Sequence, residues 1–451
     1  MPRSYFEIGC RALMLALVGV LVLGTSTARA EILGVSGTSF ALTAKPDRIS
    51  TPEGNSIYIW GFAADGGRAQ YPGPTLIMPE GQVITISVTN ALPANFGQRV
   101  SLALAGQAGV TATCTVDPCV QGALGIEAGV GGQVTYTFTA SRSGTFLYNS
   151  ASRPDLQVEM GLSGAMIVRP AGFDASTNRR AYAADGSVYD QEYLFFLTDM
   201  DSVAHDIVEN EGVAALDQSG RLSNFWSNYW FINGRNAPDT MAPVGVSRLP
   251  TQPYNSLPRT HPGDRLLMRV VGAGHQMHPF HHHGNHARVI AIDGNPLEAA
   301  AGTLDYSYEV FTIPSMPGQT VDAIFRWTGK DMGWDIYGDP TDPNHAHTCG
   351  TTGVDSEGLD LVTREYCGDH GKPIPVTLPE NFSLTFGGFW SGSPFMGTLG
   401  LLPPGQGGLN PNAGFTYMWH SHNEKEIINF DLFPGGMMTM LIVEPLGTII
   451  P

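Results

Sequence analysis

Alternation of apolar and polar residues with a period of two constrains this chain most, because only an extended strand places every second side chain on one face. Such stretches occupy residues 82–89, 133–139 and 265–271. Helix-period patterns are scarce, and 55 Gly and 32 Pro supply many turn positions between short strands. We therefore predict an all-β chain in which these strands are half-buried.

The chain also carries an internal echo. Gly164–Pro170 and Met437–Pro445 are both apolar strands that end at a proline. Two similar closing strands indicate a duplicated sandwich. We predict domain 1 over 31–172, a polar linker over 173–190 and domain 2 over 191–451.

The cysteines form two closely spaced pairs, Cys114 with Cys119 and Cys349 with Cys367. We predict two disulfides instead of thiolate metal sites, because neither pair has the two-residue spacing usual for zinc. The second pair lies in a stretch dense in Gly, Pro, Asp and Asn, from about 331 to 414. This stretch is predicted to be a loop-rich insertion in domain 2, which a disulfide would cross-link.

Residues 1–30 have the pattern of a secretory signal peptide. Arg3 and Arg11 precede the apolar segment Ala12–Leu23, and Ala28-Arg29-Ala30 resembles a cleavage site. We therefore expect a periplasmic or secreted protein with no membrane span, because the later sequence lacks a long uninterrupted apolar run. The formal net charge of −17 argues against nucleic acid and anionic membranes as partners.

Histidines concentrate in two short motifs, His278-Pro-Phe-His-His-His-Gly284 and Trp419-His-Ser-His422. In a strand, His281 and His283 would share one face, and His282 would point to the other. Together with His420 and His422 they would offer four imidazoles to copper or zinc. The alternative is that these are ordinary polar residues of strands and turns.

Further histidines leave alternatives open. His345 and His347 in the predicted insertion form either a separate surface metal site or a polar loop. His275 and His286, near the main motif, are candidates for holding the ligating rings in one tautomer. Around the C-terminal pair, Glu424, Glu426 and Asp431 could add carboxylate ligands, and Met437 and Met438 could add thioethers or pack in the core.

The motifs together resemble the multicopper oxidase family. The resemblance extends over nearly the whole chain and rests on the two histidine motifs and on five further segments, 71–77, 84–90, 144–148, 160–168 and 232–235. It implies two Greek-key cupredoxin-like β-sandwich domains and copper as the cofactor. Similarity to small laccases and copper nitrite reductases also implies a homotrimer as one assembly.

Departures from the family pattern affect most of the expected copper ligands. Ala103 and Ala105 replace one pair of first-domain histidines, Asn149-Ser-Ala151 replaces the other, and no histidine precedes His205. Ser421 stands in place of the blue-copper cysteine, and Glu426 in place of the following histidine. Of the blue-copper ligands implied by the resemblance, His278 alone remains.

These departures leave a reduced ligand set of His278, His281, His283, His420 and His422. The leading hypothesis is copper binding, in copper handling or limited copper-dependent redox chemistry; laccase-type activity is not expected, and whether the chain is an enzyme stays open. A second hypothesis is a metal-free structural or interaction protein on the same scaffold. A third is an oxidase completed by a companion subunit.

Overall fold

The computed structural model describes residues 31–298, 303–343, 345–373 and 415–450. The predicted signal peptide and the later part of the predicted insertion lie outside the described residues. Within them, strands dominate and form two β-sandwiches, one from each half of the chain. The predicted all-β architecture of two cupredoxin-like sandwiches is confirmed.

The first sandwich pairs one sheet of order β1-β4-β12-β11-β6 with another of order β3-β2-β5-β10-β7, and β8 and β9 form a separate ribbon. Its strands are β1 (Val35–Ser36), β2 (Ser39–Ser50), β3 (Ser56–Ala64), β4 (Gly73–Pro79), β5 (Val83–Asn90), β6 (Leu102–Leu104), β7 (Thr111–Val116), β8 (Cys119–Gln121), β9 (Ile126–Ala128), β10 (Gln133–Thr139), β11 (Gly144–Ser150) and β12 (Ser163–Arg169).

The second sandwich pairs one sheet of order β14-β13-β16-β22-β18-β19, with β20 also on β18, and a sheet of order β15-β24-β23-β17-β21. Its strands are β13 (Gln191–Met200), β14 (Tyr229–Ile232), β15 (Arg259–Thr260), β16 (Arg265–Gly272), β17 (His278–His282), β18 (Ala287–Ile292), β19 (Asn295–Pro296), β20 (Tyr308–Val310), β21 (Thr312–Ser315), β22 (Thr320–Arg326), β23 (Phe415–Ser421) and β24 (Met438–Val443).

Helices are short and lie between strands. The α-helices of the described residues are α1 (Pro154–Gln157), α2 (Ser202–Asn210) and α3 (Val213–Ser219), and the 3-10 turns are Ala94–Phe96, Asp185–Ser187, Asp239–Met241 and Glu424–Ile427. Asp201 caps α2 by accepting a hydrogen bond from the backbone N–H of Val203 at 3.1 Å. Through Ala204 and Leu216, α2 and α3 join the apolar core of the first sandwich.

Alternation in the sequence correctly predicts β5 and β10, which pair antiparallel and bury every second residue. It is wrong about β16, which is buried on both faces instead of one. The reason is that β16 lies between two neighbours. One face contributes Leu266 and Met268 to the second core, and the other carries Arg269 against Thr145 of the first sandwich.

Buried charges join the two sandwiches. The guanidinium of Arg269 donates to Glu192 at 3.0 Å and to the Thr145 hydroxyl at 2.9 Å, and it lies 3.6 Å from Asp322. Arg169 of β12 pairs with the same Glu192. Because an unpaired buried charge is costly, this network fixes how the sandwiches meet.

A tight turn at Asn233-Gly234 makes a second junction between the sandwiches. Both residues have left-handed backbone angles, with φ of 54° and 76°. A Cβ on Gly234 would lie 1.8 Å from the carbonyl oxygen of Tyr71 in the first sandwich. Glycine is therefore required here by the close approach of the backbones as well as by φ.

The segment between β12 and β13 contains the predicted linker, 173–190. It is not loose, since Tyr182 and Tyr189 are buried against Leu267 and Ile324 of the second sandwich. Both predicted disulfides, Cys114–Cys119 and Cys349–Cys367, are confirmed. After β22, the described residues from 327 to 373 run as turns and loops.

Candidate metal centre

Strand pairing brings the two histidine motifs together. β17 lies between β21 and β23 in one sheet, and His281 of β17 faces His420 of β23 directly in the antiparallel register. His283 follows β17 by one residue, and His422 follows β23 by one. The site is therefore built on paired backbone instead of on a loop.

Three of these rings converge closely. Ligand atoms of His281, His283 and His420 all lie within 4.8 Å of one another, and the Nε2 atoms of His283 and His420 are 3.2 Å apart. His422 completes the group, with its ring centroid 5.0 Å from that of His281 and 5.7 Å from that of His420. The structure thus places these four predicted residues side by side.

Hydrogen bonds fix two of the rings in an orientation that suits a metal. Nδ1 of His281 lies 2.6 Å from the carbonyl oxygen of Phe311, and Nδ1 of His420 lies 2.7 Å from that of Ser421. Because a carbonyl only accepts, each Nδ1 carries the proton and each Nε2 keeps a lone pair. Such outer hydrogen bonds are typical of metal-binding histidines.

Burial favours the neutral form of three imidazoles of the centre, those of His281, His283 and His420. It lowers the pKa of His283 to about 3 and that of His420 to about 4, and charge repulsion from His281 acts in the same direction. The pKa of His281 is also lowered, mainly by burial. Neutral imidazole is the form that binds a metal, so the donor set fits a copper-type ion.

His282 confirms the alternation argument, because it points away from the centre. Its Nε2 lies 3.0 Å from the carbonyl oxygen of Val310, and its ring packs edge-on against Phe325 and Trp419. The side chain is almost wholly buried in the second core. It has a structural role that the neighbouring His281 and His283 do not share.

His278 lies in a different environment from the four clustered rings. Its Nδ1 lies 3.0 Å from Oε2 of Glu426, and its Nε2 lies 3.8 Å from Oδ1 of Asp199. Burial alone would lower the pKa of His278, but the two carboxylates outweigh burial and raise it to about 9. The ring is therefore a buried imidazolium between carboxylates at neutral pH.

The residues around His278 do not fit a blue-copper ion. Ser421 offers a hydroxyl in place of a soft thiolate, and Glu426 already bonds the Nδ1 atom of His278. Met437 is fully buried in the second core, which agrees with the packing alternative for that residue. Asp199, which sequence reasoning missed, is the second-to-last residue of the largely apolar strand β13 and belongs to no recognisable motif.

The first sandwich supplies methyl and amide groups where the resemblance implies histidines. Ala103 lies on β6 and pairs with Asn149 on β11, and Ala105 follows β6. These strands keep their ladder without any imidazole. The four-histidine centre therefore lies wholly in the second half of the chain.

Comparison with known proteins agrees with this architecture. Residues 63–172 match the family model described as multicopper oxidase. The resemblance to multicopper oxidases is confirmed. The match covers β4 to β12 of the first sandwich, where the expected histidines are lacking, while the histidine motifs lie beyond it.

Solved multicopper oxidases share the fold over most of the chain. The blue copper oxidase from Nitrosomonas europaea is 18% identical, with 90% of this chain and 85% of that chain covered at a TM-score of 0.51. The multicopper oxidase mgLAC is 17% identical, with 92% and 87% covered at the same TM-score. No curated protein matches the sequence.

The three α-helices of the described residues have 4, 9 and 7 residues. None of them is long and apolar enough to cross a bilayer.

Proposed function

We propose that this chain is an exported protein that binds copper at a reduced histidine centre, in copper handling or limited copper-dependent redox chemistry. The observation that carries the proposal is the convergence of His281, His283 and His420 within 4.8 Å on paired strands. His422 would be the fourth ligand. Copper, when bound, would supply one-electron exchange between its two common oxidation states.

The residues of the centre have distinct tasks in this proposal. His281 and His420 present Nε2 because their Nδ1 atoms are held by backbone carbonyls. His283 lies against His420, and burial lowers its pKa to about 3, which keeps its imidazole neutral. His422 is exposed, which leaves one side of the centre open to solvent and suits exchange of the ion with a partner.

His278 has a different task. Its ring is hydrogen-bonded to Glu426, whereas the family resemblance would make this ring a ligand of blue copper. Without a thiolate there, the chain lacks the electron entry point of a laccase. We therefore propose handling or limited redox chemistry over four-electron oxygen reduction.

Metal analysis of purified protein after copper loading and dialysis tests the proposal. Wild type should retain about one copper per chain more than a variant with His281→Ala and His283→Ala, and equal copper in the two proteins would contradict the proposal. His286→Ala is the matched control, because this exposed histidine lies in the same segment but outside the centre. No copper in wild type would leave the metal-free interaction protein as the better hypothesis.

Export is proposed from the residue 1–30 pattern and supported by the two disulfides, which persist in oxidising compartments. Fractionation of expressing cells, with N-terminal sequencing of the product, tests it. A mature chain beginning near Glu31 outside the cytoplasm is expected. An uncleaved chain in the cytoplasm would contradict it.

A homotrimer is proposed as the assembly, with a second copy covering the face around the centre. Phe311 contacts the His281 ring and is 58% exposed, and Met277 and Met316 are about half exposed nearby in sequence. Exposed apolar side chains around a site favour a partner surface. Light scattering should give three chains per particle, and a monomer at all concentrations would exclude the trimer.

A further inference from the structure

A second group of metal-binding side chains lies in the insertion. Asp335 directly follows the buried Trp334, His347 lies two residues before Cys349, and Glu365 and His370 flank Cys367. The Cys349–Cys367 disulfide thus holds the later members near one another. The four residues come from separate turns, so their convergence has no local sequence pattern.

One ligand atom from each residue meets the others within 4.8 Å. Nε2 of His347 lies 3.2 Å from Asp335 Oδ2 and 3.4 Å from Glu365 Oε2. Nδ1 of His370 lies 3.3 Å from Asp335 Oδ2 and 2.7 Å from Glu365 Oε1. Two imidazoles and two carboxylates therefore surround a single point.

The orientation of His347 suits a cation between its ring and two carboxylates. Its Nδ1 lies 2.5 Å from the carbonyl oxygen of His345, so Nδ1 carries the proton and the Nε2 lone pair faces the carboxylates. Nε2 of His347 and Oε2 of Glu365 are buried, and neither has a hydrogen-bond partner among the described residues. A lone pair facing two carboxylate oxygens is repulsive, so a proton or a metal ion is needed between them, and the two further ligand atoms at the same point favour the metal.

The two carboxylates point to the same conclusion. Asp335 and Glu365 are at most 1% exposed, and like charges this close and this deeply buried repel strongly. Asp335 is oriented by the backbone N–H of Gly371, which donates to its Oδ2 at 2.8 Å. Such outer bonds hold metal-binding carboxylates in place.

We propose that Asp335, His347, Glu365 and His370 form a second metal site, for one divalent ion of the zinc type. One ligand atom per residue gives the four-coordinate nitrogen and oxygen donor set that zinc accepts in closed structural sites. Calcium would require six to eight oxygens, which these residues do not offer. The ion would cross-link the start of the insertion to its later turns beside the disulfide.

Zinc binding is best measured in the His281→Ala/His283→Ala background, which removes the four-histidine centre. Protein incubated with Zn²⁺ alone and dialysed should retain about one zinc per chain. Adding His347→Gln and His370→Gln should abolish retention, whereas adding His345→Gln, two residues from His347, should not. No zinc in the background variant, or equal zinc after the His347 and His370 changes, would overturn the proposal.

Thermal unfolding gives a second readout that needs only one substitution in the site. It does not require the variant with His347→Gln and His370→Gln to fold. Zn²⁺ should raise the Tm of the background variant, because an ion that binds only the folded state stabilises it. Adding the single change Glu365→Gln should remove most of that rise. A rise of equal size with Glu365→Gln would refute the site.

Discussion

The Nδ1 atom of His278 lies 3.0 Å from Oε2 of Glu426, and both side chains are almost wholly buried. An imidazole and a carboxylate thus bond each other where the family resemblance implies two imidazoles bound to copper. The carboxylate supplies the negative charge that makes the imidazolium stable in the core. At this position the chain carries a buried imidazole–carboxylate pair.

Breaking this pair should destabilise the protein. Glu426→Ala leaves a buried cation with less compensation, and the free energy of unfolding should fall by about 3 kcal/mol. Glu426→Gln, which keeps a hydrogen-bonding oxygen, should cost less. Urea unfolding measures both variants, and a double-mutant cycle with His278→Ala gives the coupling free energy between His278 and Glu426. Additive effects would show that the two residues do not act as a pair.

Copper-loaded wild type should lack the intense blue absorption of a copper–thiolate bond. Ser421 cannot provide that bond, and only weak visible bands are expected from imidazole ligands. The variant Ser421→Cys/Glu426→His adds a thiolate and a second imidazole beside His278, and it should gain the intense band. Visible spectra of the two proteins decide this, and an intense band in wild type would contradict the assignment of the pair.

Acid should weaken the junction between the sandwiches through Glu192. Burial alone would raise its pKa, but Arg169 and Arg269 outweigh burial and hold the pKa at about 2, below its ordinary value of 4.5. A lowered pKa stabilises the folded state above pH 4.5, and this stabilisation is lost as the pH falls from 4.5 towards 2.

Urea unfolding between about pH 6 and pH 3 tests this linkage. The control is Glu192→Gln, because glutamine is uncharged at every pH, like the protonated carboxyl group. Glu192→Gln should be less stable than wild type at the upper pH, and its stability should fall less steeply towards the lower one. Parallel pH profiles for the two proteins would show that another carboxylate is responsible.

The two disulfides should differ in their effect. Removing the Cys349–Cys367 link, which closes an 18-residue separation, should cost about 3 kcal/mol of local stability and expose the insertion to proteases. Removing Cys114–Cys119, which closes a separation of only 5 residues, should cost less. Limited proteolysis of the two double-serine variants compares them, and equal cleavage of the insertion would be the contrary result.

Strand periodicity predicted the β-strands and the shared face of His281 and His283. The repeated closing strand predicted two sandwiches, and the resemblance to multicopper oxidases implied their cupredoxin-like architecture. His281 and His283 share a face while His282 enters the core, as alternation requires. Sequence alone could not predict that β16 is covered on both faces, since that depends on how the sandwiches meet. In the insertion, the sequence pointed to His347 only through its spacing from His345. Asp335, Glu365 and His370 escaped prediction, because contacts between irregular turns leave no period.

Backbone pairing between Ala103 and Asn149 persists where the resemblance implies copper-binding imidazoles. The ladder between β6 and β11 therefore needs none of the side chains that would make it a metal site. Substitutions at Ala103 and Asn149 can therefore change the metal chemistry of this face while the backbone pairing of β6 and β11 is kept. The same independence makes these positions accessible to an engineer, who could return histidines to the first sandwich one side chain at a time.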